Sequence, residues 1–130
     1  MQNPGVHHIA LRVSDCERSS RFYERAFGLR EIKRAESEGN LRAIWLQADH
    51  IVLMLETSLR GVGPVTGSGH VLIFTTQDLA AAEQQFGSLG ITITDRTPST
   101  LYVSDPDGHR AGVSIYRFAD GARDSVTGQS

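Results

Sequence analysis

The stretch HIALRVSDCERSSRFYERAFGL, residues 8–29, decides the fold. Apolar and polar side chains alternate over residues 6–13, which predicts a strand with one buried face. Ser14 and Glu17 have the spacing of a capping box, and apolar or small residues then recur every three or four positions. These signals predict a helix over residues 15–27 that ends at Gly28.

The remainder of the first half contains three segments rich in strand-forming residues. They are separated by short polar turns and span residues 29–33, 41–47 and 51–56. A glycine-rich segment without periodicity follows, which predicts a linker over residues 58–69. The first half is therefore expected to fold as a β-α-β-β-β module over residues 6–57.

The same order of patterns returns in the second half. Here the predicted elements are a strand over 70–75, a helix over 77–89 with Thr76 as its cap, and strands over 91–95, 100–104 and 110–117. His8 and His70 are 62 positions apart, and so are Gly28 and Gly90, which indicates an internal repeat.

The repeat and the linker together predict how the chain is organised. We expect one domain over residues 1–118, with the second module over 70–118 and a flexible tail over 119–130. The residues DPDG at 105–108 have the composition of a tight turn before the last strand.

Composition narrows the range of functions. The 130 residues include 13 Lys and Arg against 15 Asp and Glu, and this near balance argues against nucleic acid or an anionic membrane as partner. The longest purely apolar run, residues 51–55, is too short to span a bilayer, and no secretory signal pattern is visible. The single cysteine excludes an internal disulfide. A cytoplasmic protein is expected.

Taken together, these motifs resemble a known superfamily. The strand HIALRV at residues 8–13 and the helix that closes at Phe27-Gly28-Leu29 resemble the first module of the vicinal oxygen chelate superfamily. Gly69-His70-Val71 is similar to the start of its second module, and DPDGH at 105–109 to its last turn. Members include glyoxalases, bleomycin-resistance proteins, extradiol dioxygenases and fosfomycin-resistance thiol transferases. The resemblance implies an α+β fold in which two β-α-β-β-β modules form a curved, mostly antiparallel sheet around a cleft, with helices outside.

The resemblance also implies a metal centre of two histidines and two carboxylates. The histidine positions fall on His8 and His70, but the carboxylate positions fall near Met54 and on Gly112. Neither residue can bind a divalent cation, and two imidazoles alone would bind one weakly. Glu56 has the same strand parity as Met54, so Glu56 or an acid of a second subunit would have to complete the site. The candidate metal ligands are His8, His70 and Glu56, and the alternative is that no metal binds.

Strand parity predicts a mainly apolar cleft with a few polar anchors. We expect its ligand-binding residues to be His8, Arg12, Trp45, Met54, Phe74, Tyr102 and Tyr116, with His70 as a further anchor. The faces of Trp45 and Tyr102 stay open, and core packing is the alternative for each residue of the set. His7 is expected to point away from His8. Cys16 lies in the first helical turn, where the helix dipole would lower its pKa.

Three functions remain open. The first is a metal-free protein of the bleomycin-resistance type that binds an aromatic or cationic small molecule. The second is a metalloenzyme of the glyoxalase, dioxygenase or thiol-transferase type, and the third is a degenerate interaction domain. We favour the first, with no cofactor, although a divalent metal, the catalytic residues and enzyme status all stay open. Open sheet edges and an apolar face further predict a homodimer.

Overall fold

A computed structural model describes residues 5–58 and 69–118. The chain divides into two compact units, unit 1 (residues 1–67) and unit 2 (residues 68–130). Unit 1 contains β1 (His8–Arg12), α1 (Cys16–Phe27), β2 (Arg30–Ser37), β3 (Asn40–Ala48) and β4 (Ile51–Glu56). Unit 2 contains β5 (Leu72–Thr75), α2 (Leu79–Ser88), β6 (Asp95–Arg96), β7 (Thr100–Ser104) and β8 (Arg110–Ser114). Residues 59–68 of the predicted linker and the predicted tail lie outside the described residues.

Each unit forms one mixed four-stranded sheet. The strand order is β1-β4-β3-β2 in unit 1 and β5-β8-β7-β6 in unit 2. In both sheets the first strand of the unit runs parallel to the last one, and the other neighbours are antiparallel. The α+β class and the two β-α-β-β-β modules are therefore confirmed. None of the helices in the described part of the chain has the length and apolar character to cross a membrane.

The core of unit 1 lies between α1 and one face of its sheet. Tyr23 of α1 is fully buried, and the apolar residues at alternate strand positions beneath the helix are buried with it: Leu11, Ile44, Leu46, Leu53 and Leu55. In unit 2, Phe86 of α2 takes the equivalent place above Leu101 and Val113. Each such side chain stabilises its unit by about 1.5–3 kcal/mol through burial.

The caps of both helices differ from the sequence prediction. Asp15, not Ser14, is the N-cap of α1, and its carboxylate accepts a hydrogen bond from the backbone N–H of Arg18 at 3.1 Å. Asp78, not Thr76, is the N-cap of α2 and accepts from Ala81 N–H at 3.1 Å. A charged carboxylate next to the positive end of a helix is a stronger acceptor than a hydroxyl, so the aspartates cap both helices.

The repeat is less regular than the offset of 62 suggests. The N-caps Asp15 and Asp78 are 63 positions apart, and so are the buried aromatic residues Tyr23 and Phe86. Only the left-handed glycines at the helix ends keep the offset of 62, because α2 is shorter than α1. His8 lies seven residues before the N-cap Asp15, and the residue seven before the N-cap Asp78 is Val71. His70 is therefore not the structural equivalent of His8.

In unit 2 the strands predicted over residues 91–95 and 110–117 are both shorter than expected. Residues 91–95 were expected to form a strand, but Ile91 N–H donates to Phe86 O at the end of α2, and only Asp95 and Arg96 pair with β7. The last strand was expected to reach residue 117 but ends at Ser114, after which Ile115 N–H donates to Ser99 O. A backbone group that a ladder would use is thus taken by the end of α2 in the first place and by the loop before β7 in the second.

Gly112 of β8 lies close against the backbone of β7. A Cβ at this position would lie 2.1 Å from the carbonyl oxygen of Leu101 and 3.3 Å from Cδ1 of Ile73. The first distance is far below any ordinary van der Waals contact. The two strands therefore approach this closely only because residue 112 has no side chain.

We expect Gly112→Ala to lower the free energy of unfolding by about 2 kcal/mol or more, because the added methyl group forces β7 away from β8. Urea denaturation measures this loss. Gly87→Ala is the matched control, since Gly87 lies exposed in α2 with open space around it. The control should be stabilised by about 0.5–1 kcal/mol. Equal stability of Gly112→Ala and wild type would contradict the close approach.

Candidate functional site

Twelve side-chain positions of unit 1 lie on the face of its sheet that points away from α1, which we call the helix-free face. Cross-strand partners in register point to the same side, so these positions form three rows across β1, β4, β3 and β2. The rows are His8, Val52, Gln47 and Arg30; Ala10, Met54, Trp45 and Lys33; and Arg12, Glu56, Ala43 and Ala35. Four of the predicted ligand-binding residues, His8, Arg12, Trp45 and Met54, thus lie on one face.

The middle row forms an apolar strip that ends in a cation. Ala10, Met54 and Trp45 are direct neighbours and are half-buried. The Lys33 ammonium lies 4.9 Å from the centroid of the Trp45 ring, within the range of a cation–π interaction. The sequence did not decide which face of the sheet carries Trp45. Its pairing with Met54 places it in the apolar strip on the helix-free face.

A β-bulge brings Lys33 to this face. The register between β2 and β3 shifts after Glu31, so that Ile32 is the extra residue and Lys33 pairs with Trp45. Regular alternation would place Lys33 on the same side as Glu31, toward α1. Sequence analysis missed Lys33 for this reason. One signal was available, because Lys33 is the only lysine in the chain.

The histidines at the start of β1 contact each other. His7 and His8 approach to 2.9 Å between their Nδ1 atoms, with ring centroids 5.1 Å apart. The expectation that His7 points away from His8 is wrong, because β1 begins only at His8 and strand alternation does not extend to His7. In this contact one Nδ1 donates and the other accepts, and the ring tautomers set which is which.

The proposed metal ligands do not come together within unit 1. His8 is in the row of Val52, whereas Glu56 is in the row of Arg12, four residues further along β4. At the rise of a strand this separation is about 13 Å, while one ion needs donors within about 2 Å of itself. Among residues 5–58 and 69–118 there is no group of three or more His, Cys, Asp or Glu side chains that could hold a metal ion. The donor set of this face therefore does not fit a divalent cation.

Unit 2 positions the other predicted site residues differently from the sequence expectation. Phe74 pairs with Val113 and shares the helix-packed face, while Ile73 pairs with Gly112 on the opposite face. The prediction that Phe74 and Gly112 share a face is wrong, because β5 is displaced by one residue relative to β1. His70 precedes β5, is exposed, and has its ring centroid 5.6 Å from that of His109.

The two tyrosines of unit 2 have different surroundings. Tyr102 pairs with Gly112, so it lies on the helix-free face of its own sheet, with the Arg110 guanidinium 5.6 Å from its ring centroid. Tyr116 follows the end of β8, so the strand parity used to predict its face does not apply to it. Its N–H donates to Ser114 Oγ and its ring is 5.3 Å from that of Phe118.

Cys16 is buried at the start of α1. Its thiol donates weakly to the carbonyl oxygens of Arg42 and Leu55, both at 3.6 Å. Burial raises the pKa of the Cys16 thiol, and the neighbouring carboxylates of Asp15 and Glu17 add to the rise. The expectation that the helix dipole lowers this pKa is wrong, because desolvation and two nearby negative charges act in the opposite direction.

A family model described as the Glyoxalase/Bleomycin resistance protein/Dioxygenase superfamily matches residues 5–113. The chain belongs to this superfamily, as the resemblance of the sequence motifs implied. The match begins before β1 and extends into β8.

Three individual proteins show how the chain relates to other members. It is 27% identical over 115 residues to metallothiol transferase FosB of Bacillus licheniformis, which covers 82% of this chain and 71% of that protein. The fosfomycin resistance protein FosX from Mesorhizobium loti has a TM-score of 0.74 at 21% identity, with 92% and 98% coverage. TnmS3, an antibiotic binding protein from Streptomyces sp. CB03234, has a TM-score of 0.68 at 22% identity, with 88% and 97% coverage. The two structural likenesses show the shared fold.

We expect the Cys16 thiol to react with 5,5′-dithiobis(2-nitrobenzoate) at least about tenfold more slowly in the native protein than in urea-unfolded protein, because it is buried and its pKa is raised. The absorbance of the released thiolate at neutral pH measures both rates. A cysteine at the exposed position Ser37, introduced as Ser37→Cys in a Cys16→Ser background, is the control and should react at nearly the unfolded rate. Fast native modification of Cys16 would show that its thiol is not buried against β3 and β4.

Proposed function

We propose that this protein binds a small apolar or aromatic molecule on the helix-free face of unit 1 without a metal ion. The observation that carries the proposal is the middle row, in which Met54 takes the place of the carboxylate that the superfamily resemblance implies. Beside it, Ala10 and Trp45 extend the same half-buried apolar strip. A methionine next to a tryptophan offers an adaptable, polarisable surface to a planar ligand.

Polar groups on either side of the strip would orient the ligand. His8 lies one row away in one direction and Arg12 one row away in the other, each about 7 Å along the strand. This combination, an apolar floor with a few polar groups at its border, is typical of small-molecule sites. A similar role is known for one protein of the same fold, since TnmS3 is an antibiotic binding protein.

The second candidate function is metal-dependent chemistry. One observation favours it: the relative FosB is a metallothiol transferase by name. If this protein performed such chemistry, its metal ligands would have to be His8, His70 and an acid from elsewhere in the assembly. Glu56 lies too far along β4 from His8 to bind the same ion. A cytoplasmic location stays a prediction.

The test is a binding titration with 2-naphthol, a neutral aromatic probe, in buffer containing EDTA. Trp45 is the only tryptophan, so its fluorescence reports directly on this face. We expect quenching that saturates, and an affinity about tenfold lower for Met54→Gln, since a polar amide in the strip removes roughly 1.4 kcal/mol of apolar contact.

Leu89→Gln is the matched control, because Leu89 is an exposed apolar residue at the end of α2. Its affinity should equal that of wild type. Equal weakening by both substitutions would move the binding site away from the helix-free face. Binding that appears only after Zn²⁺ or Mn²⁺ is added would replace this function with the metal-dependent one.

We further propose that the protein is a homodimer. Within the described residues, β1 and β2 are the edge strands of the unit 1 sheet, and sheet edges of this kind invite pairing. Sedimentation velocity at micromolar concentration should give the mass of two chains. A single species of 14.2 kDa would contradict the proposal.

A further inference from the structure

Lys33 and Trp45 are each the only residue of their type in the chain, and the structure pairs them. Twelve of the thirteen basic residues are arginines, and the one lysine lies with its ammonium 4.9 Å from the ring of the one tryptophan. The bulge at Ile32 makes this pairing possible, and bulges commonly serve to direct a side chain toward a site. Lysine differs from arginine in carrying a compact charge on a flexible stem, which suits it to follow a bound group.

The net charge of the helix-free face is positive, whereas that of the whole chain is negative. The chain carries a formal net charge of -2. On the twelve positions of this face there are three cationic side chains, Arg12, Arg30 and Lys33, against one carboxylate, Glu56. Glu56 is paired in register with Arg12, at the row furthest from Arg30.

Within the described residues, Lys33 also has no acidic side chain close enough to neutralise it. Among the residues that the structure describes, the ion pairs of β2 belong to Arg34, which contacts Glu17 at 2.7 Å and Glu31 at 2.7 Å on the α1 side. No carboxylate within the described ranges lies within 4.0 Å of the Lys33 ammonium. The positive charge beside Trp45 is therefore available to a ligand.

We infer that the ligand of the helix-free face is an aromatic carboxylate or a similar aromatic anion. Its ring packs against Trp45 and Met54, and its acid group forms an ion pair with Lys33. This inference rests on the proposed function and adds the ligand's charge to it. A cationic aromatic ligand is disfavoured, because it would have to displace the Lys33 ammonium from the ring and would approach Arg30 as well.

The test compares three probes that share one ring system: 2-naphthoate, 2-naphthylmethanol and 2-naphthylmethylamine. We expect wild-type protein to bind the anion about tenfold more tightly than the neutral alcohol and the cation more weakly than both. Raising NaCl from 50 mM to 500 mM should weaken binding of the anion and leave the alcohol unchanged, since salt screens only the charged pair.

Substitutions then assign the preference to Lys33. Lys33→Met should remove the preference for the anion while leaving the affinity of the alcohol within about twofold, and Lys33→Arg should restore most of it. Arg21→Met is the matched control, because it removes one exposed positive charge from α1. It should leave all three affinities unchanged.

Chemical protection provides a readout that needs no variant. Acetylation by a water-soluble N-hydroxysuccinimide ester, followed by peptide mass spectrometry, reports on Lys33 alone among the side chains because it is the only lysine. 2-Naphthoate should slow the reaction of Lys33, and 2-naphthylmethanol should slow it less.

The outcomes separate this inference from the proposed function. If the alcohol binds as tightly as the anion and Lys33→Met changes nothing, the inference fails while the apolar site stands. If the anion is preferred but Arg21→Met weakens it as much as Lys33→Met, only general attraction to the surface is present and the inference is overturned. If none of the three probes binds, the proposed function fails, and the inference with it.

Discussion

The parallel pairing of β1 with β4 is the constraint on which the arrangement of unit 1 depends. The N–H of Val13 donates to Glu56 O at 2.9 Å just beyond the paired residues, which fixes the two strands against each other without a slip. A parallel pair cannot be closed by a tight turn, so α1 must cross over, and it covers one face of the sheet with apolar contacts. Every residue on the other face then has a defined neighbour. The proximity of Ala10, Met54 and Trp45 follows directly from this register.

The two faces of β2 differ in their electrostatic interactions. On the α1 side, Arg34 binds both Glu17 and Glu31, and the hydrogen bonds from Arg34 hold the pKa of the Glu31 carboxyl below its usual range. These pairs satisfy the acids and the arginine among themselves. Lys33, one residue away, points to the opposite side and contacts an aromatic ring instead of a carboxylate. A single bulged residue, Ile32, thus separates a self-neutralised cluster from a positive charge that is open to a ligand.

The chain keeps the fold of its superfamily while its chemistry differs at the positions where the resemblance implies carboxylates. Met54 turns one of these positions into part of an apolar strip. Gly112 is a more severe change, because the backbone of Leu101 occupies the space that a side chain would need. A carboxylate cannot be restored there without moving β7. The two units therefore depart from the implied metal centre for different reasons, one chemical and one steric.

Local patterns in the sequence were enough to predict the helix over α1, the strands β3 and β4, the two modules and the superfamily. Each of these depends on residues close together in the chain, such as the apolar repeat around Tyr23 and the left-handed glycines that end the helices. Tertiary structure alone decided which faces Phe74 and Lys33 share with other residues, and that His70 lies before its strand. Side chains alternate with a period of two, so a shift of one residue moves a side chain to the opposite face of the sheet. The bulge at Ile32 does this to Lys33, and one extra residue before Asp78 does it to Phe74. That reversal is set by pairing between distant strands and by burial of Tyr23 and Phe86, which no local pattern reveals.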